Sequence, residues 1–349
     1  MTSAQEIPRL GWLYVYLTRA CNLRCTHCWL SAGPAAALPD AIAAGDVLRL
    51  ARQALPLGLR EVRITGGEPM LAPSFEHLVK GLADLGTEVR VETNATLVTA
   101  AIARTLAACR ATVGVSLDGD AMYHDQVRGF DRAYGRALHG IGLLRDQGVE
   151  VSLVMALRRG NAGLIPHVAG VAADFAIGRV KVNPVTAMGR ATQLDDLLPA
   201  ADLLELMRRY IDAGEDGPAV DFELPHAFWP LSSIKRVGVC HYLQTLSLLA
   251  DGALAMCGLG FDRDDWRLGR PDADLASIWN EHPMLVRVRA DLPGRLEGIC
   301  GRCLFLPACG GGCRALALVA HGSWVAPFPK CEELAESGLF PPARLKRGA

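Results

Sequence analysis

The sequence predicts an α/β protein: an open, partial (β/α)6 TIM-like barrel followed by a small, loop-rich and cysteine-rich C-terminal domain. Three observations predict it. Strand-like and helix-like segments alternate six times between about residues 11 and 215. Beyond residue 235 that alternation gives way to a hairpin signature and loops. The eleven cysteines form two groups, three in residues 21–28 and seven from residue 240 onward, with Cys109 alone between them. Six strand-helix units in sequence imply a parallel sheet with right-handed crossovers, two units short of a closed barrel.

The elements follow in order. Residues 12–17 are aromatic and β-branched, hence strand-like. Residues 47–55 carry a helical apolar pattern that Pro56 and Gly58 end. Strands at 61–65, 88–93, 112–116, 150–157 and 179–183 alternate with helices at 75–85, 99–108, 133–147, 164–175 and 201–213. Residues 214–240 read as irregular, with Pro218, Pro225 and Pro230. Asp251-Gly252 between residues 244–249 and 253–257 is a hairpin signature. A boundary near residue 235 gives two domains, 1–235 and 236–349, within the ordinary size range.

Composition narrows the function. Of 349 residues, 36 are basic and 37 acidic, for a net charge of −1, so no broad basic face for nucleic acid or lipid is expected. The N-terminus lacks a basic and apolar signal pattern, and no apolar run is long enough to span a membrane. Eleven cysteines without a secretory signal point to reduced thiols in the cytoplasm, available as ligands.

Chemistry in such a barrel sits on the loops after the strands. There lie Cys21–Cys25–Cys28 after the first strand and Gly66-Gly67-Glu68 after the second. Thr93-Asn94 follows the third, and Ser116-Leu117-Asp118 ends the fourth. The spacing C-x₃-C-x₂-C can wrap one corner of a [4Fe–4S] cubane and leave one iron open. On spacing alone a zinc site is the alternative, although no second cysteine pair stands nearby.

This loop resembles the cluster motif of the radical S-adenosylmethionine (SAM) superfamily, with His27 at the family's aromatic position. Thr65-Gly66-Gly67-Glu68-Pro69 resembles the family's glycine-rich motif, whose backbone meets the methionine end of SAM. The resemblance implies that Cys21, Cys25 and Cys28 bind the cluster that chelates SAM. It assigns Gly66, Gly67 and Glu68 to the methionyl end, and Ser116 and Asp118 to the segment near the ribose. Thr93 and Asn94 lie at the next strand end, where Ala95 stands in place of the family's frequent glycine. Arg128, in His124-Asp125-Gln126-Val127-Arg128, is expected near the SAM carboxylate or the substrate, and Val185 and Met188 either against adenine or as ordinary core. The alternative for His124, Asp125 and Arg128 is a loop tied by a surface ion pair.

The later cysteines read Cys240, Cys257, then Cys300, Cys303, Cys309, Cys313 and Cys331. This order resembles the SPASM domain, which carries two auxiliary iron–sulfur clusters. The resemblance gives Cys300, Cys303, Cys309 and Cys331 to one cluster, taken as [4Fe–4S]. It gives Cys240, Cys257 and Cys313 to an inner cluster that lacks a fourth cysteine. A zinc-binding tail is the alternative. Cys109 is expected to be a buried thiol on the opposite side of the barrel. Gly258 follows Cys257 where sulfatase-maturing relatives carry an aspartate base, which disfavours that reaction. Asp262, Asp264 and Asp265 are candidates for a displaced base.

The resemblance therefore implies reductive cleavage of SAM to a 5′-deoxyadenosyl radical that abstracts hydrogen from a substrate. The leading expectation is a peptide or protein maturase. The alternative is oxidation or decarboxylation of a small molecule, such as a tetrapyrrole, aminocyclitol or nucleoside. A non-catalytic electron-transfer protein is a third reading. Implied partners are SAM, a low-potential flavodoxin- or ferredoxin-type donor and, for a peptide substrate, a separate leader-binding protein. That last expectation arises because only about ten residues precede the first strand.

Overall fold

The computed structural model describes residues 7–34, 42–212, 217–232, 240–261 and 263–346. The first half alternates as expected: β1 (Trp12–Thr18), α1 (Ala44–Ala54), β2 (Glu61–Gly66), α2 (Phe75–Asp84), β3 (Glu88–Thr93), α3 (Ala100–Ala108) and β4 (Thr112–Ser116). Then come α4 (Ala121–Arg128), α5 (Ala133–Asp146), β5 (Glu150–Leu157), α6 (Ile165–Asp174), β6 (Arg179–Pro184), α7 (Ala200–Asp212) and β7 (Ala219–Phe222). The second part holds β8 (Thr245–Leu248), β9 (Leu254–Ala255), β10 (Arg267–Gly269), α8 (Leu275–Glu281), α9 (Pro283–Asp291) and α10 (Gly298–Arg302). The last helices are α11 (Leu306–Cys309), α12 (Arg314–His321) and α13 (Pro329–Glu336).

Strands β1 to β7 pair in sequence order, each parallel to the next, which is the mixed α/β architecture with a parallel sheet that the sequence predicts. Two local readings are corrected. Residues 121–128 are a helix, because Asp120 caps it by accepting from Tyr123 N at 2.9 Å and Gly129 ends it at φ +66°. Within the stretch expected to be irregular, Ala219–Phe222 forms a seventh parallel strand against β6.

Beyond these units the sheet continues. Strand β8 pairs in parallel with β1 on its free edge, and β9 and β10 add antiparallel strands. The hairpin at Asp251-Gly252 forms, with Gly252 at φ +81° and Leu249 N donating to Ala253 O at 2.8 Å. The boundary expected near residue 235 lies outside the described residues. Further ties bind the second part to the first. Trp279 Nε1 donates to Pro8 O at 2.9 Å, Trp12 stacks on His241 at 4.2 Å, and Ala200 N donates to the Glu333 carboxylate at 2.7 Å.

Side-chain alternation decides what the barrel encloses. Leu13, Val15, Val62, Ile64, Val89, Val91, Val113, Leu153, Val180 and Val182 are fully or almost fully buried. They form one core with α1, α2, α3, α5, α6 and α7 residues such as Leu50, Leu78, Leu106, Ile141, Val168 and Leu203. The alternate positions include Tyr14, Arg63, Arg90, Glu92, Ser152 and Lys181, so the opposite face is polar. Arg63 Nη1 donates to Tyr14 Oη at 2.5 Å, Arg90 pairs with Glu92 at 2.7 Å and Arg179 with Asp221 at 2.6 Å. A filled TIM barrel stacks Val, Ile and Leu on this face. Here charge and aromatic hydroxyls leave room for a polar cavity. Among the described residues no helix is long and apolar enough to cross a membrane.

Candidate active site

One cavity of about 660 Å³ opens at the carboxyl ends of the strands. Cys21, Cys25 and Cys28 line it from the loop after β1, together with Gly66, Gly67, Thr93, Asn94, Ser116, Arg128 and Val185. Cys240, Cys257, Cys309 and Cys313 line the same cavity from the second part of the chain. The strand ends thus gather residues that the sequence spreads over more than 200 positions.

The cysteine loop is held from two sides, by the end of α4 and by Arg190. Arg24 N and Thr26 N donate to the Arg128 and Val127 carbonyls at the end of α4, at 3.1 and 2.8 Å. Arg190 Nε donates to Cys25 O and Nη1 to Ala32 O, both at 2.7 Å. Gly189 lets this clamp approach, since a Cβ there would lie 2.2 Å from Trp29 O. Cys21 is pushed up to about 12 by burial, with the charges of Glu68, Cys25 and Cys28 adding to it. Its sulfur accepts from Leu23 N at 3.4 Å, and Arg128 Nη1 donates to Cys25 Sγ at 3.7 Å. Buried thiols with such donors suit a group that binds them as thiolates.

The glycine turn after β2 is shaped by close approach. A Cβ on Gly66 would lie 2.4 Å from Thr18 O, and one on Gly67 only 2.0 Å from Ala20 O. Gly67 N donates to Thr18 O at 2.7 Å, and Glu68 N to Ala20 O at 2.8 Å. Any side chain would push this turn away from the cysteine loop.

Two acids expected at the ligand do not line the cavity. Glu68 is fully buried, and its oxygens accept from Thr93 Oγ1 at 2.7 Å, Asn94 N at 2.9 Å and Met70 N at 3.2 Å. It ties the end of β2 to the end of β3, and burial raises its carboxyl to about 7. Asp118 is equally buried, with Oδ1 accepting from Ala156 N at 2.9 Å and Oδ2 from Arg128 Nε at 2.7 Å. Burial raises its pKa, but Arg128, His27 and His124 outweigh that and hold it at about 2.

The alternative of a surface ion pair at α4 is corrected: the Arg128–Asp118 pair is interior. His124 accepts from Asp118 N at 3.1 Å and Asp125 accepts from Arg132 N and Tyr134 N at 2.7 Å, so both organise the chain around α4 and α5. His27 lines the cavity, its Nδ1 buried without a partner and its Nε2 3.8 Å from Asp118. Burial lowers both His27 and His124 to about 4, so both are neutral near pH 7.

Ala95 takes φ +59°, so the alanine in the family's glycine position still adopts the left-handed turn. Asn94 Oδ1 accepts from Thr96 N at 2.9 Å, and its amide donates to Asn22 Oδ1 at 3.0 Å, joining β3 to the cysteine loop.

Sequence reading missed several lining residues: Tyr14, Tyr16, Trp29, Lys181, Asn183 and Glu223. For Tyr14, Tyr16, Lys181 and Asn183 the period-2 alternation along β1 and β6 was the available signal; Trp29 and Glu223 lie outside the strands, where no such signal exists. Asn183 Oδ1 is buried without a partner and borders the cavity, so it is open to a ligand donor.

On the far wall, the interaction between Cys240 and Cys313 holds the Cys313 thiol below its ordinary value and Cys240 well above it, and the charge of Glu223 acts on both. A second, small cavity is lined by Cys300, Cys303, Cys309 and Cys331. Burial first, then the charges of the other three cysteines, raises Cys331. Phe328 N donates to Cys300 Sγ at 3.3 Å, and Phe305 N to Cys303 Sγ at 3.4 Å. Cys109 at the end of α3 is half-buried rather than buried.

A Cβ on Gly258 would lie 2.2 Å from the Trp29 ring and 2.4 Å from Tyr16 Oη, so the position after Cys257 has no room for an acid. Asp264 and Asp265 are exposed, paired with Arg267 and Arg263, and do not line the cavity. Asp262 lies outside the described residues.

Residues 15–161 match the radical SAM superfamily. The chain is 24% identical over 351 residues to the AdoMet-dependent heme synthase of Methanosarcina barkeri, covering 95% of this chain and 98% of that one. It is 27% identical over 331 residues to the mycofactocin maturase MftC of Mycobacterium tuberculosis, covering 90% and 81%. The fold is similar to that of Streptococcus suis SuiB bound to S-adenosylmethionine, with a TM-score of 0.75 at 21% identity over 92% of this chain and 76% of that one. Residues 15–161 of this chain are therefore a domain of the radical SAM superfamily.

Proposed function

We propose that this radical SAM enzyme holds a [4Fe–4S] cluster on Cys21, Cys25 and Cys28, and oxidatively modifies a substrate lodged between that cluster and a second, auxiliary one. The observation that carries this reading is that one cavity is bordered by both cysteine groups. The donor set fits: three thiols on one wall, N–H donors on two of their sulfurs, and a glycine turn that a Cβ would fill. SAM bound at such a cluster supplies a 5′-deoxyadenosyl radical able to take hydrogen from an unactivated carbon.

The chain's own residues bind and orient. Gly66 and Gly67 offer backbone to the methionyl end of SAM, Thr93, Asn94 and Ser116 border the cavity beyond it, and Val185 and Met188 offer apolar contact. Glu68 and Asp118 act from behind as positioning residues. Tyr16, Trp29 and Phe261 pack edge to face beside Gly258 and screen the space from water.

The residues after 240 are read as a SPASM-type domain. Cys300, Cys303, Cys309 and Cys331, which line the small cavity, would hold one auxiliary cluster; Cys240, Cys257 and Cys313, all on the wall of the main cavity, would hold the inner one. A flavodoxin- or ferredoxin-type protein supplies electrons. The preferred substrate is a peptide, in line with the relative named as a mycofactocin maturase. A carboxylated tetrapyrrole is the second reading. It is favoured by Lys181 and Lys330 on the cavity wall, and by relatives named as heme synthases.

Anaerobic iron and sulfide counting tests the cluster assignment. The reading expects up to about twelve irons per chain if all three sites hold cubanes. About four should be lost in the Cys21→Ala/Cys25→Ala/Cys28→Ala variant, and about four in Cys300→Ala/Cys331→Ala. Bound zinc without sulfide would overturn it. For the substrate, 5′-deoxyadenosine formation is compared with a precursor peptide and with coproporphyrin III and its iron complex. Stimulation by the tetrapyrrole alone would displace the peptide reading.

A further inference from the structure

Three donors reach the sulfurs of the loop cysteines among the described residues. Leu23 N and the Asn94 amide reach Cys21 Sγ at 3.4 and 4.0 Å, and both are neutral. Arg128 Nη1 reaches Cys25 Sγ at 3.7 Å and carries a full positive charge. Its side chain is 8% exposed, and Nε is anchored on Asp118 Oδ2 at 2.7 Å. Asp118 is itself fixed on its other side by Ala156 N, so neither partner can swing away without breaking a buried contact. Two imidazoles also face the pair: His27 Nε2 lies 3.8 Å from Asp118 Oδ2, and His124 Nδ1 accepts from Asp118 N at 3.1 Å. Arg190 adds a cation nearby, but its hydrogen bonds end on the Cys25 and Ala32 carbonyls rather than on sulfur.

We propose that Arg128, with Asp118 as its counter-charge, sets the reduction potential of the cluster held by Cys21, Cys25 and Cys28. This rests on the assignment of that cluster to the loop. A one-electron reduction puts more negative charge on the cluster and its thiolates. A cationic N–H donor gains more from the electron-rich sulfur than from the oxidised one, and so raises the potential. The carboxylate behind it opposes that effect and keeps the cluster a strong reductant. The pair is thus a dipole whose two ends shift the potential in opposite directions. No bond is made or broken, and the electron comes from the external donor.

An EPR-monitored redox titration of the reconstituted full chain tests this. The relevant signal is the one whose shape changes on adding SAM, which separates it from the auxiliary clusters. At a fixed solution potential, Arg128→Gln should have a reduced-to-oxidised ratio about tenfold below wild type, equivalent to about 59 mV for one electron. Arg128→Lys, which keeps the charge, should lie between the two. Asp118→Asn should move the ratio upward. Damage to packing alone does not give shifts of opposite sign. If Arg128→Gln takes up no iron, Arg128→Lys and Asp118→Asn decide. Potentials equal to wild type, or moving in one direction for the Gln and Asn variants, would overturn the inference. Iron and sulfide uptake unaffected by Cys25→Ala would instead overturn the cluster assignment beneath it.

Discussion

Gly67→Ala isolates what the glycine turn contributes. The added methyl would lie 2.0 Å from Ala20 O, 2.6 Å from Ala20 C and 2.8 Å from Arg19 O. All three neighbours are backbone atoms of the segment that leads into Cys21, so no flexible side-chain end can move aside. Reaching ordinary contact requires the two strand ends to part by well over 1 Å. That separation breaks the hydrogen bonds from Gly67 N to Thr18 O and from Glu68 N to Ala20 O. Overpacking costs about 1–3 kcal/mol, and each broken bond about 1 kcal/mol or more. The expected loss is about 3–5 kcal/mol. With an unfolding entropy of about 2.1 cal/mol/K per residue, that lowers Tm by roughly 4–7 °C. SAM binding, followed by equilibrium dialysis on reconstituted protein, should weaken about tenfold or more, because the turn borders the cavity. Gly170→Ala is the matched control. Gly170 lies mid-helix in α6 with nothing within 4 Å of the new methyl, so it should gain up to about 1 kcal/mol and leave SAM binding unchanged. A Gly67→Ala protein with wild-type Tm and SAM affinity would refute the close-approach argument.

Other outcomes follow from the same geometry. Burial raises Glu68 from an unfolded value of 4.5 to about 7, so the folded state holds its proton more tightly. Stability of the iron-free protein should therefore fall as pH rises from about 4.5 through 7, by about 3 kcal/mol, and Glu68→Gln should flatten that slope in urea titrations. Gly258→Asp should drive Trp29 from its place; reduced Tm with altered tryptophan emission is expected, and wild-type behaviour in both would contradict the packing. Arg190→Ala removes two hydrogen bonds from the cysteine loop, so amide exchange in residues 25–32 should accelerate while the helices on the outer face keep their protection.

Much of the frame was readable because strands β1 to β6 alternate buried aliphatic with polar residues and are closed by Pro, Gly and Asn signals. Helix α4 was missed because Tyr123-His124-Asp125-Gln126 has little apolar content. Its tertiary contacts, not periodicity, bury His124 and Arg128. Strand β7 escaped because four residues between Pro218 and Pro225 form a strand only once β6 offers its edge.

At the site, residue chemistry was legible but direction was not. Glu68 and Asp118 carry carboxylates, as the motifs announce, yet both point away from the cavity to tie strand ends and α4 together. No local pattern marks Arg190: its partners Cys25 and Ala32 lie about 160 positions earlier, and only the assembled sheet brings them together. Gly258 was readable as a missing acid, but the structural cause, Trp29 and Tyr16 packed against it, belongs to another strand and loop.

The most direct test of the account is SAM cleavage under anaerobic, reducing conditions, with 5′-deoxyadenosine quantified against wild type, Cys25→Ala and Cys28→Ala. The account predicts 5′-deoxyadenosine and methionine in equal amounts from wild type and none above background from either variant. Release from the variants at the wild-type rate, or none from a wild-type protein with its iron and sulfide in place, would contradict it.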